Sequence, residues 1–98
     1  MTINTQEYLH KVKEILSVSI KEAEFFAYGS RIKGTAGIAS DLDIMVRAKN
    51  GKRLSMMELG EARELLAASN IPFRVDVHDY YATEEYFLKM VEGDFVAL

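Results

Sequence analysis

Apolar residues at Tyr8, Leu9, Val12, Ile15, Leu16 and Ile20 recur at the three-to-four spacing that lines one face of a helix. Residues 5–20 are therefore predicted to form an amphipathic helix, with Asn4 or Thr5 as its cap. The period then changes. Glu24 to Tyr28 is a short aromatic run closed by Gly29 and reads as a strand. Asp41 to Arg47 alternates less cleanly but is rich in Ile, Met and Val, and reads as a second strand, with Asn50-Gly51 turning the chain after it. Ser55-Met56-Met57-Glu58 has the form of a capping box, and Leu59, Ala62, Leu65 and Leu66 carry a helix on to about Ser69. A left-handed Asn70 is expected to end it, and Pro72 prevents continuation. Phe73 to His78 alternates apolar and polar, a third strand. Thr83 with Glu84 and Glu85 opens a last helix through Phe87, Met90 and Val91, which Gly93 stops. The order is helix, strand, short linker helix, strand, helix, strand, helix. That is α/β (α+β): a small mixed sheet of about three to four strands flanked by helices.

Composition narrows the class. At 98 residues, 49% hydrophobic and 28% charged, the chain is expected to fold as one domain over residues 1–98. No apolar run approaches the roughly 18 residues of a membrane helix, and no basic-then-apolar leader opens the chain, so a cytoplasmic location away from membranes is expected. The absence of cysteine excludes disulfides, thiolate metal sites and a cysteine nucleophile. Net charge is −3, which excludes a wholly basic nucleic-acid coat, and no direct nucleic-acid contact is expected. The charge is unevenly spread. Residues 31–53 hold six basic and two acidic groups, a net +4, whereas residues 54–98 hold three basic and nine acidic, a net −6. A positive middle enclosing two carboxylates suits an anionic ligand that arrives with a divalent cation, although Arg47 to Arg53 also read as a solvated loop.

The chemistry is concentrated between Gly29 and Asp43. Side chains on a strand alternate, so Asp41 and Asp43 point to one side while Leu42 and Ile44 point to the core. Two neighbouring carboxylates repel unless a cation lies between them, and oxygen ligands with room for water and phosphate suit Mg²⁺. On the third strand Arg74, Asp76 and His78 share the face opposite Phe73, Val75 and Val77. If that strand lies beside the second, Asp76 completes a three-carboxylate cluster. The helix between them permits this adjacency without requiring it. His78 can approach the cluster or serve as a plain surface residue; His10 reads as an exposed polar residue of the first helix. Gly29-Ser30, closing a strand and opening a short helix, offers backbone N–H groups and a hydroxyl to an anion, with Arg31 and Lys33 close by. Taken alone it is an ordinary strand-to-helix turn. It is not a P-loop, because Thr35 rather than lysine follows Gly34. Antiparallel first and second strands would bring Gly29-Ser30 beside Asp41 and Asp43, a triphosphate at the turn and metal at the acids.

Gly29-Ser30, a spacer of about ten residues, Asp41-Leu42-Asp43 and the later Asp76 resemble the signature of the polymerase-β nucleotidyltransferase superfamily. The fuller stretches around them, G-S-R-x-x-G with S-D-L-D and then F-R-V-D-V-H-D, are similar to the minimal nucleotidyltransferases (MNT), over residues ~10 to ~95. The resemblance implies catalysis with two Mg²⁺ ions and a nucleoside triphosphate, ATP in the first instance. It implies that Asp41, Asp43 and Asp76 are the catalytic and metal-holding acids, with Asp76 also orienting or deprotonating the acceptor hydroxyl. It assigns Gly29 and Ser30 to the β- and γ-phosphates and Arg31 to steadying the triphosphate. Larger relatives carry a second, acceptor-binding domain; with the chain ending at Leu98, the acceptor is expected to come from elsewhere. Minimal members accompany a HEPN-type toxin as its antitoxin, and some transfer AMP to a tyrosine of that toxin. Two alternatives stand beside this: a non-catalytic antitoxin acting by contact, and transfer to a small-molecule hydroxyl. Assembly with further copies or with the partner is expected.

Overall fold

The computed structural model describes residues 5–33 and 41–98. Asn4 as a cap, and Gly34, Thr35 and the rest of the spacer up to Ser40, lie outside the described residues.

Helix α1 (Gln6–Ser19) leads into strand β1 (Ala23–Tyr28), the short helix α2 (Ser30–Lys33) and strand β2 (Leu42–Ala48). Helix α3 (Met56–Ala67) and strand β3 (Val75–Asp79) follow, then a 3-10 turn (Tyr80–Ala82), helix α4 (Glu85–Val91), a second 3-10 turn (Glu92–Asp94) and strand β4 (Val96–Ala97). The strands form one mixed sheet in the order β3-β2-β1-β4. β1 runs antiparallel to β2 and to β4, whereas β2 and β3 are parallel. The parallel pair is the one joined through α3, as a crossover requires.

One face of the sheet is the core. Phe25 and Ala27 of β1, Leu42, Ile44 and Val46 of β2 and Val77 of β3 pack with Val12, Leu16 and Ile20 around α1 and with Ala62 and Leu66 of α3. Each large aliphatic side chain fully buried in this way contributes about 1.5–3 kcal/mol. Strand alternation then sends Tyr28, Asp43 and Asp76 to the opposite face. The capping box forms as read: Ser55 Oγ accepts from Glu58 N–H (3.0 Å) and Ser55 N–H donates to Glu58 Oε1 (3.1 Å).

Several boundaries differ from the pattern. Thr5 stands at the N-cap of α1 but in helical backbone, with no side-chain cap bond; its Oγ1 instead accepts from Arg31 Nη1 (3.3 Å). Asn70 is not left-handed, since the described residues with positive φ are Gly29 and Gly51. Ser69 closes α3 in its place, donating from both N–H and Oγ to the Leu66 carbonyl (3.1 and 2.6 Å). The third strand begins at Val75, because Phe73 turns toward Tyr8 and the Arg31 guanidinium, and it continues one residue past His78 to Asp79. Helix α4 starts at Glu85, with Glu84 at its N-cap position and no side-chain cap bond; Thr83 Oγ1 donates to the Asp79 carbonyl (2.6 Å). Gly93 does not stop α4, which ends at Val91 and tightens into the 3-10 turn that contains Gly93. Strand β4 follows that turn, the fourth strand of the sheet, absent from the predicted order.

Candidate active site

The site is a row across the sheet. Tyr28 pairs with Asp43 across β1–β2, and Asp43 pairs with Asp76 across β2–β3. The cluster comes from register alone: three strands present side chains of one face at one level. Asp43, Asp76 and His78 each offer a ligand atom, and those atoms lie within 4.8 Å of one another. His78 Nε2 stands 3.7 Å from Asp43 Oδ1 and 3.9 Å from Asp76 Oδ2.

Asp41 stands one residue before β2 and is not among those three converging groups. Its carboxylate lies 4.0 Å from Arg74 Nε, and Arg74 Nη2 lies 3.8 Å from Asp76 Oδ1. Burial raises the Asp43 carboxyl above the usual range. Asp76 and Asp41 push it further, against the pull of His78. Burial, then Asp43 and Asp76, likewise holds the Tyr28 phenol far above its usual range, so it stays neutral. Carboxylates gathered by strand pairing, one of them reluctant to ionise, form a donor set that fits a divalent cation.

Gly29 follows Tyr28 with φ +90°, a backbone that L side chains rarely adopt. A Cβ there would collide with Asp43 Oδ2, so the glycine is what lets the turn lie against the carboxylate. Its carbonyl accepts from Ile32 and Lys33 N–H (3.1 Å each), closing the first turn of α2, where Ser30 stands. Arg31 is buried, with its guanidinium 4.2 Å above the Phe73 ring and bonded to Thr5.

The other basic residues of the middle are mostly engaged elsewhere. Arg47 donates to Glu24 (3.2 Å) and stacks near Phe26 and Tyr80, Arg53 donates to the Tyr81 carbonyl (3.3 Å), and Lys33 pairs with Asp94 (3.0 Å). His10 is exposed and pairs with Glu14 (2.8 Å). Tyr28 was not singled out in the sequence, although its place before Gly29, on the face of Phe26, carried the signal.

The nucleotidyltransferase domain family matches residues 9–96. The chain is 32% identical over 92 residues to the probable protein adenylyltransferase MntA of Haemophilus influenzae, a match spanning 94% of this chain and 79% of that one. It superposes with a TM-score of 0.75 on a crystal structure of a toxin–antitoxin with AMP-PNP, covering 90% of this chain and 69% of that one at 24% identity. That last likeness is one of fold. No helix among the described residues is long and apolar enough to cross a membrane. A mixed sheet with acids in register on adjacent strands, and a family match over nearly its whole length, place this chain in the nucleotidyltransferase family, similar to its MntA-type members.

Proposed function

We propose that this chain is a Mg²⁺-dependent protein adenylyltransferase that moves AMP from ATP to a tyrosine hydroxyl of a partner protein, and that it is the antitoxin of a pair whose toxin is of the HEPN type. The observation that carries the reading is the register that sets Asp76 beside Asp43, with Gly29 against the same carboxylate. The name of the Haemophilus influenzae relative supports the reaction, and the toxin–antitoxin neighbour with AMP-PNP supports the nucleotide and the setting.

In this reading Asp41, Asp43 and Asp76 are the acids that would hold two Mg²⁺ ions. When bound, the ions neutralise triphosphate charge and favour the ionised acceptor oxygen. Gly29 and Ser30 receive the β- and γ-phosphates. Arg31, packed on Phe73 and bonded to Thr5, steadies the triphosphate by fixing that turn against α1. The acceptor hydroxyl gives its proton to Asp76 and its oxygen attacks the α-phosphorus. The bond from that phosphorus to the bridging oxygen breaks, and pyrophosphate leaves.

The test is intact mass spectrometry of this protein incubated with Mg²⁺, ATP and the product of the neighbouring reading frame. An AMP-sized gain on the partner is expected. The Asp41→Asn/Asp43→Asn variant should reduce its rate by more than about a hundredfold. A stable complex with no mass gain would overturn transfer and leave a module that neutralises by contact.

A further inference from the structure

His78 stands in the carboxylate row, yet adenylyl transfer leaves it without a role. It follows Asp76 by two residues on β3, so strand alternation sends both side chains to the same face. Parallel pairing sets Asp43 level with Asp76, and His78 two residues further along. Its Nε2 lies 3.7 Å from Asp43 Oδ1 and 3.9 Å from Asp76 Oδ2. Among the described residues, Asp43, Asp76 and His78 are the group whose ligand atoms converge within 4.8 Å. Asp41 is outside that group, 4.0 Å from Arg74 Nε.

We propose that His78 is a ligand of the divalent ion held by Asp43 and Asp76, and that its nitrogen makes this position select Mn²⁺ or Co²⁺ over Mg²⁺. The inference rests on the reading of the row as a metal site and needs no particular acceptor. Three observations support it. The first is spacing. Both distances exceed hydrogen-bond length, so the imidazole is not closed onto either carboxylate. Donors that each lie about 2.1 Å from a common ion are about 3–4 Å apart, which is the separation found here.

The second is placement. His78 is carried by a strand paired along its length with β2, and its ring lies tilted beside Tyr28, with centroids 6.2 Å apart. The three side chains are open to solvent to similar degrees: 41% for His78, 31% for Asp43 and 38% for Asp76. An ion arriving at one therefore meets all three. The third is donor chemistry. The acids offer oxygen alone, which suits Mg²⁺. An imidazole nitrogen adds affinity for first-row transition ions, more for Co²⁺ than for Mn²⁺, and little for Mg²⁺. The opposing picture is a charged His78 that only balances the acids. An entering ion would expel such a group, so its removal would tighten metal binding.

The test uses the full chain labelled with ¹⁵N-histidine, without nucleotide or partner. The chain has two histidines, and His10 is exposed on α1, paired with Glu14. His10→Gln therefore leaves His78 as the one imidazole. Pulsed EPR with Mn²⁺ alone reads the coupling of a directly bound nitrogen. That coupling is expected in the native and His10→Gln proteins and lost in His78→Gln. In calorimetry with each ion alone, His78→Gln should weaken Mn²⁺ and Co²⁺ at least about tenfold and Mg²⁺ by less than about threefold. Should His78→Gln fail to fold, the coupling in His10→Gln still decides. No coupling in His10→Gln, coupling that survives His78→Gln, an equal loss for Mg²⁺ and Mn²⁺, or tighter binding of all three ions would overturn the proposal. Its failure is separable from that of the reaction. Nitrogen coupling without AMP transfer rejects the adenylyltransferase reading, and transfer by a protein whose bound Mn²⁺ shows no nitrogen rejects the ligand.

Discussion

Gly29 and Gly51 both hold positive φ, at +90° and +74°, yet they differ in what surrounds them. A Cβ at Gly51 meets nothing within 4 Å, whereas at Gly29 it meets the Asp43 carboxylate. Gly51→Ala is therefore expected to cost backbone strain alone, about 1 kcal/mol in denaturant unfolding. Gly29→Ala should cost about 1–3 kcal/mol more and should also weaken divalent-cation binding, because Asp43 must move. Equal effects of the two substitutions would mean that Gly29 serves only the turn. Asp43 itself carries a pH signature. With its folded-state pKa raised, the protonated carboxyl favours the fold. That contribution is full below the usual aspartate range and is lost as pH rises through the raised value. At neutral pH the ionised group is a net cost. In chelator, Asp43→Asn should thus stabilise the protein at pH 7, a gain that disappears in acid. Thermal unfolding across pH measures it; a variant less stable at neutral pH would contradict the assignment.

At the scale of elements, what the sequence pattern resolved and what it missed divide along a physical line. Local hydrogen bonding was legible: the Ser55–Glu58 box is closed by its own four residues. Alternation was legible too, and it placed Asp76 opposite Val75 and Val77 before any pairing was known. Adjacency of β2 and β3 was not, because parallel pairing is decided by how α3 packs, far from the strands in sequence. β4 was not read, since two residues carry no period and depend on β1 for their bonds. Asp79 went unread for a related reason. It falls on the buried side of β3, where a carboxylate seems misplaced, and its partners come from other elements. Oδ2 accepts from Leu54 N–H (2.7 Å) and Oδ1 from Tyr81 N–H (3.1 Å), tying the entry to α3 and the 3-10 turn onto the end of β3. Asp79→Ala leaves two N–H donors unpaired and should cost about 2–4 kcal/mol in denaturant unfolding. A loss no greater than that of Ser55→Ala, about 1 kcal/mol, would show those donors to be satisfied otherwise.

Over the whole molecule, the +4 stretch does not surround the acids as a patch, since Arg47, Arg53 and Lys33 each have partners away from the row. Arg74 and His78 stand beside the acids, yet burial, with Asp76 and Asp41 adding to it, still raises the Asp43 carboxyl, a cost that a cation relieves. Stability and metal binding are consequently linked. A ligand that binds only the native state stabilises it by about 2.7 kcal/mol at a hundredfold excess over Kd. In a chain of this size that is a rise of about 10 °C or more in Tm. The native protein should show such a rise with Mg²⁺. Asp43→Asn should start from a higher Tm in chelator and respond little to the ion. The two titration curves should then cross, with the variant more stable without Mg²⁺ and the native protein more stable with it. A parallel pair of curves would mean that the ion binds elsewhere. A native protein indifferent to Mg²⁺ would mean that the acids wait for metal brought in already bound to the nucleotide. Repeating the melt with Mg²⁺ and AMP-PNP together distinguishes that case from one in which the acids hold no metal.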